Sequence, residues 1–133
     1  MTEDIAHTLA RSIVTSKLDY CNAVLHGVPL KNVAVLQRVQ NNLARVVLQK
    51  PKTAHATPLL KSLHWLPVDK RIQYKMILMT YKVKVSKTPD YLSKLISERT
   101  SSAPMTLRSS SRTMLRPKFT RTNYGGRAFS ASA

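Results

Sequence analysis

Cysteine and histidine are the first side chains to consider in this sequence as a nucleophile or as metal ligands. Cys21 lies five residues before His26, so a Cys–His nucleophile pair can be imagined, but no glycine-rich or signature sequence surrounds it. His55 and His64 are nine residues apart, and no Cys/His spacing matches a structural zinc site. We therefore expect Cys21 to be a buried thiol, and we expect no metal.

Acidic residues are too few to suggest catalysis. The sequence holds six Asp and Glu, and a two-carboxylate site would need distant ones to meet. It contains no phosphate-binding P-loop, no dinucleotide-binding glycine pattern and no serine-hydrolase motif. We expect a protein that is not an enzyme and that takes no cofactor and no small-molecule substrate.

Positive charge is the strongest chemical feature of the sequence. The 133 residues include 22 Lys and Arg, which leaves a net charge of +16 at pH 7. Such a charge opposes compaction and is better tolerated when a polyanion neutralises it: nucleic acid, an anionic membrane surface or an acidic protein. Nucleic acid is the usual partner of a basic domain, although surplus surface lysine without a partner is the simpler alternative. Charge does not separate RNA from DNA.

The C-terminal residues 100–133 carry basic residues without a single acidic one, and Ser and Thr are dense there. This composition predicts a loosely ordered basic tail, with short strands considered at 107–108 and 118–120. Aromatic residues interleave with the cations, so they could stack on bases or pack against the rest of the protein; they are Phe119, Tyr124 and Phe129. Gly125-Gly126 could form an anion-binding turn beside Arg127, or simply a flexible turn.

Five helices are predicted in residues 1–99, from hydrophobic periodicity and helix-start signals. They cover residues 3–18, 30–49, 58–65, 67–86 and 89–98. Thr57-Pro58 and Thr88-Pro89 each read as a capping residue followed by a proline in the first turn. Repeated starts of this kind favour an all-α fold, a small orthogonal bundle of about five helices followed by the basic tail.

Two of these helices carry informative patterns. In the first helix, one apolar face is predicted from two rows, Ile5, Leu9 and Ile13 beside Ala6, Ala10 and Val14. In the fourth, Val68, Ile72, Met76, Met79 and Val83 form one face, and Tyr74, Ile77, Leu78 and Tyr81 form a second arc. A helix that is apolar on two sides belongs at the centre of a bundle. His64-Trp65 is expected to be a packing corner, with the indole N–H bonded to a carbonyl.

Several protein classes are disfavoured by composition. One cysteine argues against a disulfide-stabilised secreted domain, and no apolar run approaches the length of a membrane span. The start, Met1-Thr-Glu-Asp4, lacks the basic and apolar regions of a secretory signal. We expect a nuclear or cytoplasmic protein in a reducing compartment.

Several ordered motifs resemble a segment beyond the polymerase core of LINE-class (non-LTR) retrotransposon reverse transcriptases. The most specific is Thr57-Pro-Leu-Leu-Lys-Ser-Leu-His-Trp-Leu-Pro-Val68. Others are Lys17–Pro29, Leu36–Val47, Arg71–Lys75, Thr80–Lys82, Pro89–Leu92, Leu107–Ser109 and Tyr124–Ser130. The resemblance covers about residues 5–131.

The resemblance implies a thumb or post-thumb fragment of an RNA-directed DNA polymerase. The chain lacks the Asp-Asp pair that the polymerase chemistry of that family needs, since Asp4, Asp19, Asp69 and Asp90 are isolated. In the family, fingers and palm precede this segment and a Leu-Trp-Asn-like segment follows it. The resemblance therefore implies a truncated copy that does not reverse transcribe by itself.

We expect the chain to bind RNA or DNA by phosphate contact, with stacking as an addition and no chemistry. The candidate contacts are Arg71, Lys75 and Lys82 on the fourth helix and Arg108, Arg112, Arg116, Lys118, Arg121 and Arg127 in the tail. Two alternatives remain: a protein-interaction or dimerisation module, which could pack on an upstream polymerase palm or a second copy, and translated transposon sequence without a selected function.

Overall fold

The computed structural model describes residues 2–98, 115–116 and 118–132, and these are helices joined by turns. No β-strand occurs in those ranges. The backbones of Glu98 and Leu115 form one isolated antiparallel bridge. The predicted all-α class is confirmed. The strand considered at 118–120 is wrong, and the one at 107–108 lies outside the described residues.

The helices follow the order that periodicity predicts. They are α1 (Glu3–Ala10), a π-helical turn (Arg11–Thr15), α2 (Ser16–Asp19), a 3-10 turn (Asn22–Leu25), α3 (Leu30–Val47), α4 (Ala56–Ser62), α5 (Val68–Ser86), α6 (Asp90–Ser93), a second 3-10 turn (Gly125–Arg127) and α7 (Phe129–Ser132). The bounds of α3 and α5 agree with prediction to within two residues.

Two helix starts differ from prediction. α4 begins at Ala56 after His55, so Thr57 lies inside its first turn instead of capping it. α6 begins at Asp90, after Pro89, and ends at Ser93, well short of the predicted 98. Proline is accommodated in the first turn of α4 because the N–H groups there have no intrahelical partner.

The chain divides into two compact units, Met1–Lys75 and Met76–Ala133, with the boundary inside α5. The first unit has a core of small and apolar side chains, which are Ala10, Ala44, Val47, Leu60 and Trp65, bordered by Leu43, Leu59 and Leu63. Ala10 of α1 and Ala44 of α3 both lie in this core, and side chains as small as alanine permit a short spacing between helix axes.

The predicted face of α1 is only half right. Ala6 and Ala10 are buried, whereas the neighbouring row, Ile5, Leu9 and Ile13, is exposed. The side chains of α1 that contact the core are thus alanines, and the larger side chains of the neighbouring row lie outside it. The π-helical turn at Arg11–Thr15 also changes the angle per residue, so Ile13 no longer continues the row set by 3.6 residues per turn.

Two glutamines of α3 complete the start of α5. Gln37 Oε1 accepts a hydrogen bond from the Val68 N–H at 2.8 Å, a cap supplied by another helix. The buried Gln40 donates from Nε2 to the Leu66 carbonyl at 2.9 Å and accepts from Gln37 at 3.0 Å. The bond from Gln37 satisfies the Val68 N–H at the start of α5, and the bond from Gln40 adds a second donor, beside Arg71 Nε, to the Leu66 carbonyl.

Helix α5 has one buried face instead of two. Val68, Ile72, Met76 and Val83 are buried as predicted, and Met79 is partly buried. Most of the second arc is exposed, namely Tyr74, Ile77 and Tyr81, and its fourth member, Leu78, is partly buried. The expected position at the centre of a bundle is wrong, since the described part of the chain offers only three other helices of seven or more residues.

Trp65 is the large aromatic side chain in the core of the first unit, and it is 7% exposed. Its Nε1–H donates to His7 Nε2 at 3.3 Å, and the two ring centroids are 5.8 Å apart. The packing corner is confirmed, but the expected carbonyl acceptor is wrong. A helix from elsewhere in the sequence supplies a ring nitrogen, which local spacing does not reveal.

Candidate nucleic-acid interface

The second unit contains a stretch in which every charged side chain is a cation. We call the described residues 115–116 and 118–132 the basic segment. Its start is fixed by the bridge between Glu98 and Leu115 and by the Arg116 N–H, which donates to the Ser97 carbonyl at 2.8 Å. Arg116, Lys118 and Arg121 are exposed. Three of the predicted contacts therefore have side chains that a phosphate can reach.

A tight turn organises the middle of the basic segment. The Gly125 N–H donates to Thr122 Oγ1 at 3.0 Å, and the Gly126 N–H donates to the Thr122 carbonyl at 3.1 Å. A Cβ added at Gly125 would lie 3.1 Å from Thr120 Cβ, so glycine permits this close approach. The anion-binding turn considered at Gly125-Gly126 is not supported, because both N–H groups already bond within the turn.

Two aromatic rings of the basic segment are open to solvent. Phe119 is 90% exposed and Tyr124 is 82% exposed, while Phe129 is partly buried. The alternative prediction, that the aromatic side chains of the tail pack against the helices, is therefore wrong for Phe119 and Tyr124. The guanidinium carbon of Arg127 lies 5.7 Å from the centroid of the Tyr124 ring, a cation–π distance.

The candidates on α5 have different surroundings. Lys75 at the end of the first unit and Lys82 in the second are exposed. Arg71 is largely buried, with a side chain that is 15% exposed. Its Nη1 lies 2.8 Å from both Asp19 oxygens, and its Nε donates to the Leu66 carbonyl at 2.9 Å. Arg71 thus ties α2 to the start of α5 and is poorly placed to contact a phosphate.

Two further predicted contacts, Arg108 and Arg112, lie outside the described residues. Lys87 was not predicted as a contact, although it is exposed and follows α5 in the second unit. Helical periodicity makes no prediction for Lys87, because this residue lies just beyond the end of α5. Its position in the exposed loop after α5 makes it an additional candidate.

The residues first considered for chemistry do not converge. Cys21 is exposed and has a left-handed φ of 52°, so the expected burial of its thiol is wrong. Within the described ranges, no three His, Cys, Asp or Glu side chains come close enough to hold a metal ion. The helices of the same ranges include none that is long and apolar enough to cross a membrane.

Comparison with known proteins does not place the chain in a family. No protein-family model matches the sequence, and no curated protein or solved structure is significantly similar to it.

Proposed function

We propose that this protein binds nucleic acid through the phosphate backbone and performs no chemistry on it. The observation that carries the proposal is a positive charge that the chain cannot neutralise by itself. Twenty-two Lys and Arg stand against six Asp and Glu, so the acidic side chains can neutralise at most six of these positive charges. The positive charges that are left lower their electrostatic energy only by attracting anions from outside the chain.

Ion pairing in the described residues already uses most of the carboxylates. Four of the six are paired: Asp69 with Lys70, Asp19 with Arg71, Glu98 with Lys84 and Asp90 with Lys94. The other two, Glu3 and Asp4, lie in the first turn of α1, where negative charge favours the helix N-terminus. Hence the two carboxylates of the second unit, Asp90 and Glu98, are already paired with lysines outside the basic segment.

The second unit is the stronger candidate for the contact. It holds eleven Lys and Arg and two acidic residues, a net charge of +9, and both acidic residues are paired. Arginine and lysine bind phosphate oxygens by charge-assisted hydrogen bonds without reading sequence. We therefore expect binding with little sequence preference.

The resemblance to LINE-class reverse transcriptases fits this activity, because the corresponding helices would grip a template–primer backbone. On that basis we expect the chain to bind nucleic acid without catalysis, in the nucleus or cytoplasm.

A protein-interaction module is the second candidate, favoured by one observation within the second unit. Ile77, Tyr81 and Val85 recur every four residues on α5 and are exposed. Exposed apolar rows of this kind mark contact surfaces. Self-association that persists at high salt would favour this candidate over nucleic-acid binding.

Two triple variants with equal net charge test the main proposal. One replaces Arg116, Lys118 and Arg121 by Gln, and the matched control replaces the exposed first-unit residues Lys31, Lys50 and Lys52 by Gln. Binding to a labelled 20-nucleotide single strand is measured by fluorescence anisotropy at 50 mM salt. We expect a loss of about tenfold or more for the basic-segment variant, and about threefold or less for the control.

Equal losses in the two variants would show that net charge acts without a defined interface. Absence of binding by the unaltered protein at 50 mM salt would contradict the proposed function itself.

A further inference from the structure

The basic segment exposes two kinds of side chain that bind unpaired nucleotides, namely cations and aromatic rings. Phe119 lies between Lys118 and Arg121, and Tyr124 lies between Arg121 and Arg127. No acidic residue occurs anywhere in residues 99–133. Rings and cations therefore alternate over ten residues without an opposing charge.

The exposure of these two aromatic rings indicates that they bind a partner. Phenylalanine buries a large apolar area when it packs, yet Phe119 keeps 90% of its surface in water. The turn at Gly125 and Thr122 fixes the backbone next to Tyr124, and Arg127 lies over its ring, so Tyr124 has a defined setting while 82% of its surface stays open. Both rings can thus accept a flat apolar partner.

We propose that Phe119 and Tyr124 stack on unpaired bases, so that the ligand of the basic segment is single-stranded nucleic acid in preference to a duplex. This inference rests on the proposed function and specifies its ligand. In a duplex each base face is covered by its neighbours, and only backbone and groove edges are offered. A single strand presents its base faces, and stacking on aromatic side chains is its usual mode of recognition.

Other occupants fit these rings less well. A second copy of the chain would bring another +16 to the same place. A protein partner would need carboxylates for the cations and an apolar surface for the rings. A nucleotide strand carries a phosphate and a flat base in every repeat, which matches the alternation of cations and rings.

The test separates bases from phosphates. Three labelled probes of equal length are titrated at 50 mM salt: an oligothymidylate single strand, the same strand with its central bases removed as abasic sites, and a duplex that contains the strand. We expect the single strand to bind at least about tenfold more tightly than the abasic strand, and more tightly than the duplex, because each stacked base contributes substantially.

Variants assign the preference to the rings. Phe119→Leu combined with Tyr124→Leu keeps apolar side chains but removes the aromatic faces, so the single strand should bind about tenfold or more weakly and the abasic strand nearly unchanged. The matched control, Tyr20→Leu with Tyr91→Leu, alters two exposed rings outside the basic segment and should not change either affinity.

Equal binding of the intact and abasic strands, or a double variant that retains the preference, would overturn this inference and leave phosphate binding intact. A duplex bound as tightly as the single strand would overturn it as well. Failure of all three probes to bind would contradict the proposed function together with the inference.

Discussion

Replacing Trp65 by alanine is expected to lower the free energy of unfolding of the first unit by about 3–5 kcal/mol. The side chain fills the core beside Ala10, Ala44 and Leu60, and its N–H donates to His7. Truncation leaves a cavity and removes that hydrogen bond. Because small domains have only about 5–15 kcal/mol in total, this one change removes a large share of the stability.

Urea denaturation followed by far-ultraviolet circular dichroism measures the effect, since the helix signal does not depend on the tryptophan. The neighbouring Leu66→Ala is the control, because that side chain is exposed and its carbonyl, which Gln40 and Arg71 contact, is retained. A loss below about 1 kcal/mol for Trp65→Ala would show that the core described for the first unit is not what stabilises it.

Raising the salt concentration from about 50 to about 200 mM is expected to weaken binding to a single strand roughly 100-fold. Five phosphate contacts would give a log–log slope of about −3.5, at about −0.7 for each contact. Neutralised phosphates release their counterions, and added salt opposes that release. Anisotropy titrations at four or five salt concentrations give the slope directly.

Deletion of residues 100–133 should flatten this slope, and replacing Arg116, Lys118 and Arg121 by Gln should reduce it by about 2. A slope near zero for the unaltered protein would mean that phosphate contacts do not drive the binding. An unchanged slope after the deletion would move the interface out of the basic segment.

Periodicity was sufficient to predict the long helices and one buried face. In α5 the residues Val68, Ile72 and Val83 recur on one side at a helical repeat, and all three are buried. Periodicity cannot decide which of two adjacent apolar rows is covered. That choice depended on alanine at the α1–α3 contact, which allows a close approach, and on how few helices remained to cover α5.

Hydrogen bonds and ion pairs between residues far apart in the sequence were the least predictable part of the structure. Gln40 lies one turn before Ala44 on the buried face of α3, but only the folded chain shows that its amide donates to the Leu66 carbonyl. The sequence predicts Arg71 as a phosphate contact, whereas in the structure its guanidinium pairs with Asp19, 52 residues away. For the basic segment the sequence predicted the cations, whereas the openness of Phe119 and Tyr124 required the structure.

The most direct test of the account is to map bound single strand onto the backbone of the ¹⁵N-labelled protein by ¹H–¹⁵N correlation spectra. We predict that the amide shifts concentrate in residues 115–132, with smaller changes at the end of α5 and little change in α1 to α4. Shifts concentrated in α1 to α4, or spread evenly over both units, would contradict a nucleic-acid interface in the basic segment.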